Sequence, residues 1–497
     1  MAEIALLREA CEWAASLKLD DIPADVRHLA RAQLLSMGAA AHASMRHPIG
    51  DRLRRTGFPA GAISGATGWP GDAARQALLT MALDFDETAF AGHLGHASAI
   101  PPMIVGTETG AGGAEVMVAQ VAAAEVAARV TAAVTLGSAR GQTATHTHAA
   151  AAVVGCGLLL GLDAERLTAA LPLALAQPRR VMLPAFMATD AKFWVAAAPT
   201  LDAARCIQMA RAGAVGLEGL MEAPGGLLEQ LASVPLPEVF SGWGSRWHLR
   251  TLSIKAIPGC AYLTSAVEAA ASLAPVDAGE VESVEVAASV FTLAMEAESL
   301  PYINGPESPL PALGFSVGYS LATALETGSL DVDDLHGERL ASSSRWELAG
   351  RVGLRHDPDL TVAALAAAAP VGAAIALAGE RARAWLQARG ASAEIVDRVL
   401  AEAVGDPEFE NPAKRIGARV TVRLRDGRML EAERDAARGC CQEPVAVRLA
   451  LAEAKYRAQA GGGAEAYVAA AGRFDSMSAT ELKSWHLAGA VAGAKLT

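Results

Sequence analysis

Lys255 lies in a stretch of mainly apolar or small residues and precedes Pro258 by three positions. Because a proline disfavours helical backbone at the residue before it, we expect Lys255 near the end of an extended run beside a turn. A lone ammonium among apolar neighbours is unfavourable unless an anion meets it. The segment therefore predicts either an ion pair with a carboxylate of the protein or a site for an anionic ligand.

Acid–base side chains are concentrated between residues 84 and 98. The group consists of Asp84, Asp86, Glu87, His93, His96 and Ser98. Imidazole changes protonation near neutral pH, so a loop of this composition can carry proton-transfer groups into a cleft. The acids alone favour a solvated turn with capping side chains, whereas the two histidines shift the interpretation towards proton transfer. A metal site on His93 and His96 lacks a further ligand at a supporting spacing.

Polar side chains also fill residues 141–148, directly before a predicted buried helix. The run includes Gln142, Thr143, His146, Thr147 and His148. Hydroxyl and amide groups at a helix N-terminus can bind an anion, although Thr147 is also a typical N-cap residue. A metal site on the two histidines would require extended backbone.

Two further cations and one tyrosine are candidates for substrate contacts. Lys192 precedes an apolar stretch. There it pairs with Asp190, extends its ammonium to the surface, or supplies a second positive charge for an anionic ligand. Arg180 lies in the preceding segment. Tyr319, near the start of a predicted helix, is either a proton or hydrogen-bond donor or a packed core residue with a bonded hydroxyl.

The composition describes a large globular protein. The 497 residues are enough for two or three domains, and 52% of them are hydrophobic while only 19% are charged. A net charge of −12 argues against nucleic acid as a partner. An anionic substrate therefore needs a local positive pocket, because the field of the whole protein repels it.

The cysteines and the hydropathy bear on location. Six cysteines are scattered without a CxxC pair and give no sign of an iron–sulfur or zinc site. Reduced thiols, and a start that runs directly into an amphipathic helix, predict a cytoplasmic protein. The uncharged run 360–379 is mostly alanine and is broken by Pro370 and Gly372. It predicts a buried or surface helix pair and no membrane span.

The periodicity of apolar residues divides the chain in three. Residues 1–256 predict a helical domain, and residues 257–440 predict an α+β lid domain. Residues 441–497 predict C-terminal helices that rejoin the helical domain. The predicted fold class is mainly α with an α+β part, in which a large all-helical domain carries a smaller α+β lid. Lys255 would lie at the cleft between them.

Individual elements follow from the same patterns. Alternating residues predict strands at 281–290, 346–354, 416–424 and 429–434, the last two joined by a hairpin turn at 425–428. Helices are predicted at 115–136, 149–160, 263–273, 318–326, 373–389, 393–404, 444–459 and 478–492.

The order of these motifs resembles the MmgE/PrpD family over most of the chain. The segments that carry the resemblance are Asp84 and Asp86 with His96 and Ser98, 141–163, Lys192, 220–226, 247–260, 315–319 and 420–427. The best-known members of the family are 2-methylcitrate dehydratase and cis-aconitate decarboxylase, and an iminodisuccinate epimerase is a relative. No single motif is decisive, and the order and spacing together carry the resemblance.

The resemblance implies a helical domain with an α+β lid, a homodimer, and chemistry on small carboxylates without a cofactor or a metal. It implies a pocket lined by catalytic groups, which are Asp86, His96, Lys192, Lys255 and Tyr319. Further substrate contacts are predicted at Asp84, Ser98, Gln142, Thr143, His146 and Arg180. The chain departs from the family pattern at Ala97, Gln142, Thr143, Trp194, Val195 and Thr264, where a proline, a Phe-His pair or a histidine is common. The missing histidines argue against the usual tricarboxylate substrate, and His146 or His148 is a candidate to replace one of them.

The implied chemistry begins with removal of a proton α to a carboxylate. The resulting dianion is unstable, and two ammonium groups in a closed pocket would stabilise it. We expect Lys192 and Lys255 to hold the substrate carboxylates. His96 or Asp86 is expected to act as general base, and Tyr319 or a histidine to donate a proton. The usual activity of the family favours a hydro-lyase acting on a small di- or tricarboxylate. The alternatives are an epimerase or isomerase, a decarboxylase and a catalytically silent carboxylate-binding protein.

Overall fold

The computed structural model describes residues 5–55, 68–90, 92–137, 144–369, 371–406 and 408–489. Within these residues the protein is mainly helical, with a two-stranded and a four-stranded sheet. The predicted fold class, mainly α with an α+β part, is confirmed.

The first half of the chain forms a helical body. Its α-helices in the described residues are Leu6–Ser16, Ala24–Arg46, Pro48–Arg54, Trp69–Met81, Gly95–Ser98, Ile100–Thr109, Gly113–Ala132, Ala144–Leu159, Ala164–Leu175, Leu183–Ala188, Ala191–Arg211 and Leu227–Leu231. Most side chains of Gly113–Ala132 are buried, as expected of a helix that is apolar nearly all round. Ala144–Leu159 begins earlier than predicted, so His146 and His148 lie inside the helix instead of before it.

Strands pair in two separate sheets. The strands of the described chain are β1 Glu87–Thr88, β2 Ser253–Ile254, β3 Val281–Ala288, β4 Val352–His356, β5 Ala418–Leu424 and β6 Met429–Arg434. β1 and β2 form an antiparallel pair, and the other strands form a sheet in the order β4-β3-β5-β6. β3 is parallel to β4 and antiparallel to β5, and β5 and β6 form the predicted hairpin. The strand predicted at 346–354 is wrong in its first half, because Ser343–Ala349 is a helix.

The second half of the chain adds helices around the larger sheet and at the C-terminal end. In the described residues these α-helices are Thr264–Ala271, Val290–Ser299, Leu310–Leu313, Val317–Thr327, Gly337–Leu340, Ser343–Ala349, Pro358–Ala366, Val371–Ala378, Ala382–Gln387, Ala393–Glu402, Val445–Ala460, Ala464–Ala471 and Ala479–Gly489. The single helix predicted over 373–389 is divided by a tight turn in which Gly379 has a φ of 54°. Glycine adopts this left-handed conformation without steric cost, which explains the break.

The length and apolarity of the helices decide whether one of them could cross a membrane. No single helix among the described residues is long and apolar enough to cross a membrane. Pro358–Ala366 and the divided segment Val371–Gln387 reach the length and composition together, but they are bent by 74° relative to each other.

The buried apolar residues of the described chain form two clusters, and the chain passes between them repeatedly. Two of these crossings run from Phe85 to Ala89 and from Ile254 to Cys260. The antiparallel pairing of β1 with β2 places the two crossings side by side. Polar side chains at the crossings, such as that of Lys255, are therefore buried between two apolar cores.

The helix Val445–Ala460 returns to the N-terminal body and packs along Ala24–Arg46. Tyr456 lies so close to Gly38 that a Cβ on this glycine would be 2.9 Å from the ring. The absence of a side chain at Gly38 thus permits the close approach. The same helix carries the buried side chain of Lys455 into the body.

Candidate active site

Asp84 bridges two lysines that come from distant parts of the chain. Its Oδ2 lies 2.9 Å from the Nζ of Lys192, and its Oδ1 lies 2.8 Å from the Nζ of Lys255. Asp84 has a φ of 51°, a left-handed conformation that is uncommon for residues other than glycine. Lys255 also donates to the main-chain carbonyl of Asp84 at 2.8 Å, which holds this turn in place. The structure thus brings Lys192 and Lys255 together across one carboxylate.

Asp86 joins Lys255 to two histidines. Its Oδ1 lies 2.7 Å from the Nζ of Lys255. Its Oδ2 lies 2.5 Å from His93 Nδ1 and 3.1 Å from His96 Nε2. We refer to these six side chains as the acid–lysine cluster: Asp84, Asp86, His93, His96, Lys192 and Lys255. Two carboxylates are shared in it among four nitrogen groups.

The carboxylates of the cluster are ionised. Burial by itself raises the pKa of Asp84, but the charges of Lys192 and Lys255 outweigh it and lower the pKa to about 2. For Asp86, Lys255 and His93 overcome the same effect of burial and hold the pKa well below its usual value. Burial lowers the pKa of Lys255, but the two aspartates have the larger combined effect and raise it. Both lysines therefore already meet carboxylates of the protein, which was one of the alternatives left open for each, whereas the mechanism implied by the resemblance has them hold those of the substrate.

The two histidines on Asp86 differ in exposure and in the state of their second nitrogen. His96 is fully buried, and its Nδ1 lies 2.8 Å from the Thr80 hydroxyl. Burial lowers the pKa of His96, so a neutral ring donates its Nε2–H to Asp86 and accepts from Thr80. The side chain of His93 is 29% exposed and donates its Nδ1–H to Asp86. Among the described residues nothing hydrogen-bonds the Nε2 of His93, which leaves this atom available for proton transfer.

Another acid lies directly after Asp86. Glu87 Oε1 accepts from the Gly95 amide at 2.5 Å and from Gln33 Nε2 at 3.1 Å, whereas its buried Oε2 has no partner in the described part of the chain. Burial, followed by the charge of Asp86, raises the pKa of Glu87 to about 7. Ser98 donates to Gln33 Oε1 at 3.3 Å, so this predicted substrate contact belongs to a supporting layer of the protein.

Two phenylalanine rings lie close to Lys192. Its Nζ is 4.5 Å from the ring centroid of Phe315 and 5.3 Å from that of Phe186. Cation–π attraction favours such contacts. The alternative partner that the sequence offered, Asp190, pairs instead with Arg52 at 2.8 Å. Since Phe315 comes from the second half of the chain, both halves contribute to the site.

The surroundings of Tyr319 are those of a core residue, which was the alternative to a proton or hydrogen-bond donor. Its hydroxyl donates to the main-chain carbonyl of Asp334, and its ring centroid is 4.8 Å from that of Trp346. Burial raises the pKa of the phenol. These contacts make Tyr319 a packed residue with a bonded hydroxyl, and they do not support the expected role as a proton donor. The motif at 315–319 contributes Phe315 to the site instead.

The remaining predicted contacts are Gln142, Thr143, Arg180 and His146, of which Gln142 and Thr143 lie outside the described residues. Arg180 is exposed and donates to the carbonyl of Gln230 at 2.6 Å. His146 is buried, its Nε2 has no partner in the described structure, and burial lowers its pKa to about 3. Neither Arg180 nor His146 has a hydrogen bond or ion pair with the acid–lysine cluster in the residues described.

Two buried lysines beside the cluster were not predicted. Lys455 donates to the carbonyl of Phe85 at 2.6 Å, and Lys414 donates to the Thr88 hydroxyl at 2.9 Å. The burial of Lys455 could have been predicted from helical spacing, because it follows Ala452 by three positions on the buried face of its helix. Lys414 lies in an irregular segment before β5, where no periodicity could show its burial.

Asp86, His93 and His96 also form a set that could hold a metal ion, with ligand atoms within 4.8 Å of one another. Imidazole and carboxylate suit zinc and several transition metals. The Nζ of Lys255, however, lies 2.7 Å from Asp86 Oδ1, and it would repel a second cation at this position. The donor set therefore fits proton transfer better than metal binding.

Family models match both halves of the chain. The MmgE/PrpD N-terminal domain matches residues 8–238, and the MmgE/PrpD C-terminal domain matches residues 258–387. No curated protein matches the chain significantly. Lys255 falls between the two matched ranges, and Lys414 and Lys455 follow them. The matches cover most of the sequence, so the chain belongs to the MmgE/PrpD family, which supports a dehydratase-type or related enzyme activity in general.

Proposed function

We propose that this protein is a cofactor-independent hydro-lyase that dehydrates a small di- or tricarboxylate after removal of the proton α to a carboxylate. The observation that carries the proposal is the His93–Asp86 pair, in which a buried carboxylate accepts Nδ1–H and leaves Nε2 available. Membership of the family supports the reaction class. The two ammonium groups beside this pair support an anionic substrate.

His93 is the general base of the proposed mechanism. A carboxylate that accepts the Nδ1–H of a histidine fixes its tautomer and stabilises the cation that forms when Nε2 takes a proton. Asp86 occupies this position relative to His93. His96 shares the same oxygen but is buried and bonded at both nitrogens, so its role is to position Asp86. This choice differs from the expectation from sequence, in which His96 or Asp86 was the base.

Lys192 and Lys255 stabilise the negative charge that develops on the substrate. Loss of the α-proton moves charge onto the adjacent carboxylate, and fixed ammonium groups in a water-poor site lower the energy of that state. Asp84 and Asp86 hold the ammonium groups in place before the reaction, so little rearrangement accompanies it.

The leaving hydroxyl receives the proton that the base has taken. The α-carbon loses a proton to His93 Nε2, the C–O bond at the β-carbon breaks, and the imidazolium gives its proton to the departing oxygen as water. A carbon–carbon double bond conjugated with the carboxylate forms, and His93 returns to its neutral state. One histidine can serve both steps when the proton and the hydroxyl leave from the same face.

Alkene formation and solvent exchange test the proposal. The protein is incubated with citrate, malate and related hydroxy acids in D2O, with ultraviolet absorbance to report the alkene and mass spectrometry to report deuterium. We expect alkene from at least one acid. His93→Gln should reduce the rate by about 10²- to 10⁴-fold, the usual contribution of a positioned acid–base group. His356→Gln, which changes an exposed histidine at the end of β4, should keep the wild-type rate.

Other outcomes point to the alternative functions. Deuterium in an otherwise unchanged acid indicates an epimerase or isomerase, and release of carbon dioxide indicates a decarboxylase. If no acid reacts but one raises the melting temperature, the protein binds carboxylates without turnover. Loss of activity in His96→Gln together with normal activity in His93→Gln would contradict the choice of base.

Three further expectations from the sequence stay predictions. They are the cytoplasmic location, the homodimer, and the domain boundaries at 256 and 440. None of them enters the mechanism, which uses side chains of one chain.

A further inference from the structure

Four buried lysines of the described chain lie in or beside the acid–lysine cluster, and their ammonium groups meet different partners. Lys255 meets two aspartates, and Lys192 meets one aspartate and two aromatic rings. Lys455 donates to a hydroxyl at 2.9 Å and to two carbonyls at 2.6 and 3.4 Å. Lys414 has a single acceptor in the described structure, the Thr88 hydroxyl. Its ammonium therefore keeps unused donors.

Lys414 is held firmly although its ammonium is poorly satisfied. Only 8% of the residue is exposed. Its main-chain amide donates to Gln442 Oε1 at 3.2 Å, and its carbonyl accepts from Gln442 Nε2 at 3.4 Å. Among the described residues no carboxylate lies within ion-pair distance of its Nζ, and the ring of Tyr262 is 5.9 Å away. A buried ammonium with one neutral acceptor is unfavourable by itself.

The ionisable neighbours of Lys414 supply no negative charge at neutral pH. The groups that act on Lys414, line the same space or face its ammonium are Lys255, Cys260, Tyr262, Arg438, Cys440 and Cys441. Burial raises the pKa of Cys260, Cys440 and Tyr262 to about 12, and it also raises that of Cys441. These thiols and this phenol are therefore neutral, and Lys255 and Arg438 are cations.

Two carboxylates in the same region have partners other than Lys414. Glu268 accepts from the amide of Arg438 at 2.9 Å, and Glu443 accepts from the amide of Gly439 at 3.0 Å. Among the described side chains, neither acid pairs with Lys414. The charge of Lys414 thus lacks a counterion within the described structure.

Lys414 borders a small cavity that reaches the acid–lysine cluster. The cavity has a volume of about 20 Å³, which admits about one water-sized group. Lys255 lines it together with hydroxyl side chains, which are those of Thr88, Ser253, Thr264 and Ser265. Thr88 follows Asp86 by two residues and lies in β1, opposite Ser253 of β2. An anion in this space would therefore adjoin the proposed site of proton transfer.

We propose that Lys414 Nζ and Thr88 Oγ1 bind an oxygen of a substrate carboxylate and select for an acid with a second carboxylate. The proposal deepens the proposed function and rests on it. One carboxylate, next to the carbon that loses its proton, faces Lys192 and Lys255, whose charges the protein already balances. The other carboxylate brings the negative charge that Lys414 lacks. The cavity admits a single oxygen, so the rest of the acid lies outside it.

Binding at this position is linked to proton uptake. Burial, with a further contribution from Lys255, lowers the pKa of Lys414. A carboxylate beside the ammonium favours the charged form and raises this pKa. At a pH above the pKa that Lys414 has in the free protein, the substrate therefore binds together with a proton.

Calorimetry with citrate and succinate as probes tests the proposal between pH 6 and 10, in buffers of different ionisation enthalpy. We expect Lys414→Met to weaken binding by about 10- to 100-fold, the range for a hydrogen bond to a charged group, and to abolish proton uptake. Its melting temperature should not fall, because methionine replaces an unpaired buried ammonium. Thr88→Val removes only the hydroxyl and should weaken binding less. Lys483→Met, at an exposed lysine, should bind as the wild type does.

Several results would overturn the proposal. Unchanged affinity in both Lys414→Met and Thr88→Val would do so, as would proton uptake that persists in Lys414→Met. Chloride binding that depends on Lys414, without competition from either acid, would reduce the position to a halide site.

The two proposals fail in different ways. If the wild type turns over an acid and Lys414→Met binds it normally, only the present proposal fails. If binding depends on Lys414 but no acid loses a proton to solvent, only the proposed chemistry fails. If the wild type binds neither probe and turns over no acid, both fail.

Discussion

The acid–lysine cluster can be compared with a second buried ion cluster, formed by Glu125, Arg129 and His248. In this second cluster Glu125 Oε2 accepts from Arg129 Nη1 at 2.8 Å and from the His248 amide at 2.9 Å. Its Oε1 accepts from the Leu249 amide at 3.0 Å. The charged side chains are at most 1% exposed. Each cluster thus contains at least one buried acid, one cation and one histidine.

The two clusters differ in whether an accessible hydrogen-bonding atom is left without a partner. Glu125 is bound on both oxygens by groups that fasten the helix Gly113–Ala132 to the turn His248–Thr251. Burial raises its pKa, but His248 and Arg129 outweigh this effect and lower the pKa to about 2. In the acid–lysine cluster His93 is 29% exposed and keeps a nitrogen without a partner among the described residues. Buried ion pairs by themselves therefore indicate a structural role. An accessible nitrogen without a hydrogen-bond partner indicates a role in proton transfer.

Replacement of one acid in each cluster should give the largest contrast. Asp86→Asn removes the charged acceptor that orients His93, so we expect kcat to fall by on the order of 10³-fold. Glu125→Gln changes a cluster that takes no part in the proposed mechanism, and its activity per folded molecule should equal that of the wild type. Initial rates normalised to the folded fraction measure the difference. Equal losses in the two variants would remove the distinction between the clusters.

The free energy of unfolding should depend on the cluster formed by Glu125, Arg129 and His248. Glu125→Gln leaves the buried Arg129 without its carboxylate, so we expect the free energy of unfolding to fall by about 3 kcal/mol. Urea unfolding provides the measurement. Glu347→Gln, at an exposed glutamate, is the control and should change stability by less than about 0.5 kcal/mol. Wild-type stability in Glu125→Gln would show that this cluster does not hold the fold.

The effect expected from Lys455 appears only as a pH dependence. Burial lowers the pKa of Lys455 to about 7, whereas an unfolded lysine titrates near 10.4. Between these values the unfolded state binds one proton more, so stability rises with pH; below about 7 both states hold the proton and the dependence ends. Relative to Lys455→Met, the wild type should gain up to about 1.4 kcal/mol per pH unit in this window.

Unfolding curves measured from pH 6 to 10 check this slope, with Lys483→Met as the exposed control. Parallel pH profiles for wild type and Lys455→Met would show that Lys455 stays charged throughout.

Secondary structure could be predicted wherever a local pattern persists over a whole element. β6 has the predicted bounds, and the predicted helix 393–404 appears as Ala393–Glu402. The prediction failed at 346–354, where a few alternating residues also suit a turn of helix. Arg345 pairs there with Glu326 and Asp334, and these tertiary contacts accompany the helical conformation.

The site could be predicted only in part. The motifs indicated Asp84, Asp86, His96, Lys192 and Lys255, and the structure brings them together. Motifs could not rank His93 above His96, because burial decides which nitrogen is reachable. They could not reveal Lys414 either, since its contact with Thr88 joins residues 326 positions apart.

The position of the helix Val445–Ala460 in the chain has a consequence for the order in which the acid–lysine cluster is assembled during synthesis. Its Lys455 supports the turn at Phe85 from 370 positions away. On the ribosome the acids of this turn emerge long before the amine beneath them is made. Domains generally fold as they leave the ribosome, but the acid–lysine cluster has to wait for this later helix. A chain that ended before the helix would carry the acids without their support, so the cluster is complete only after the helix has been made.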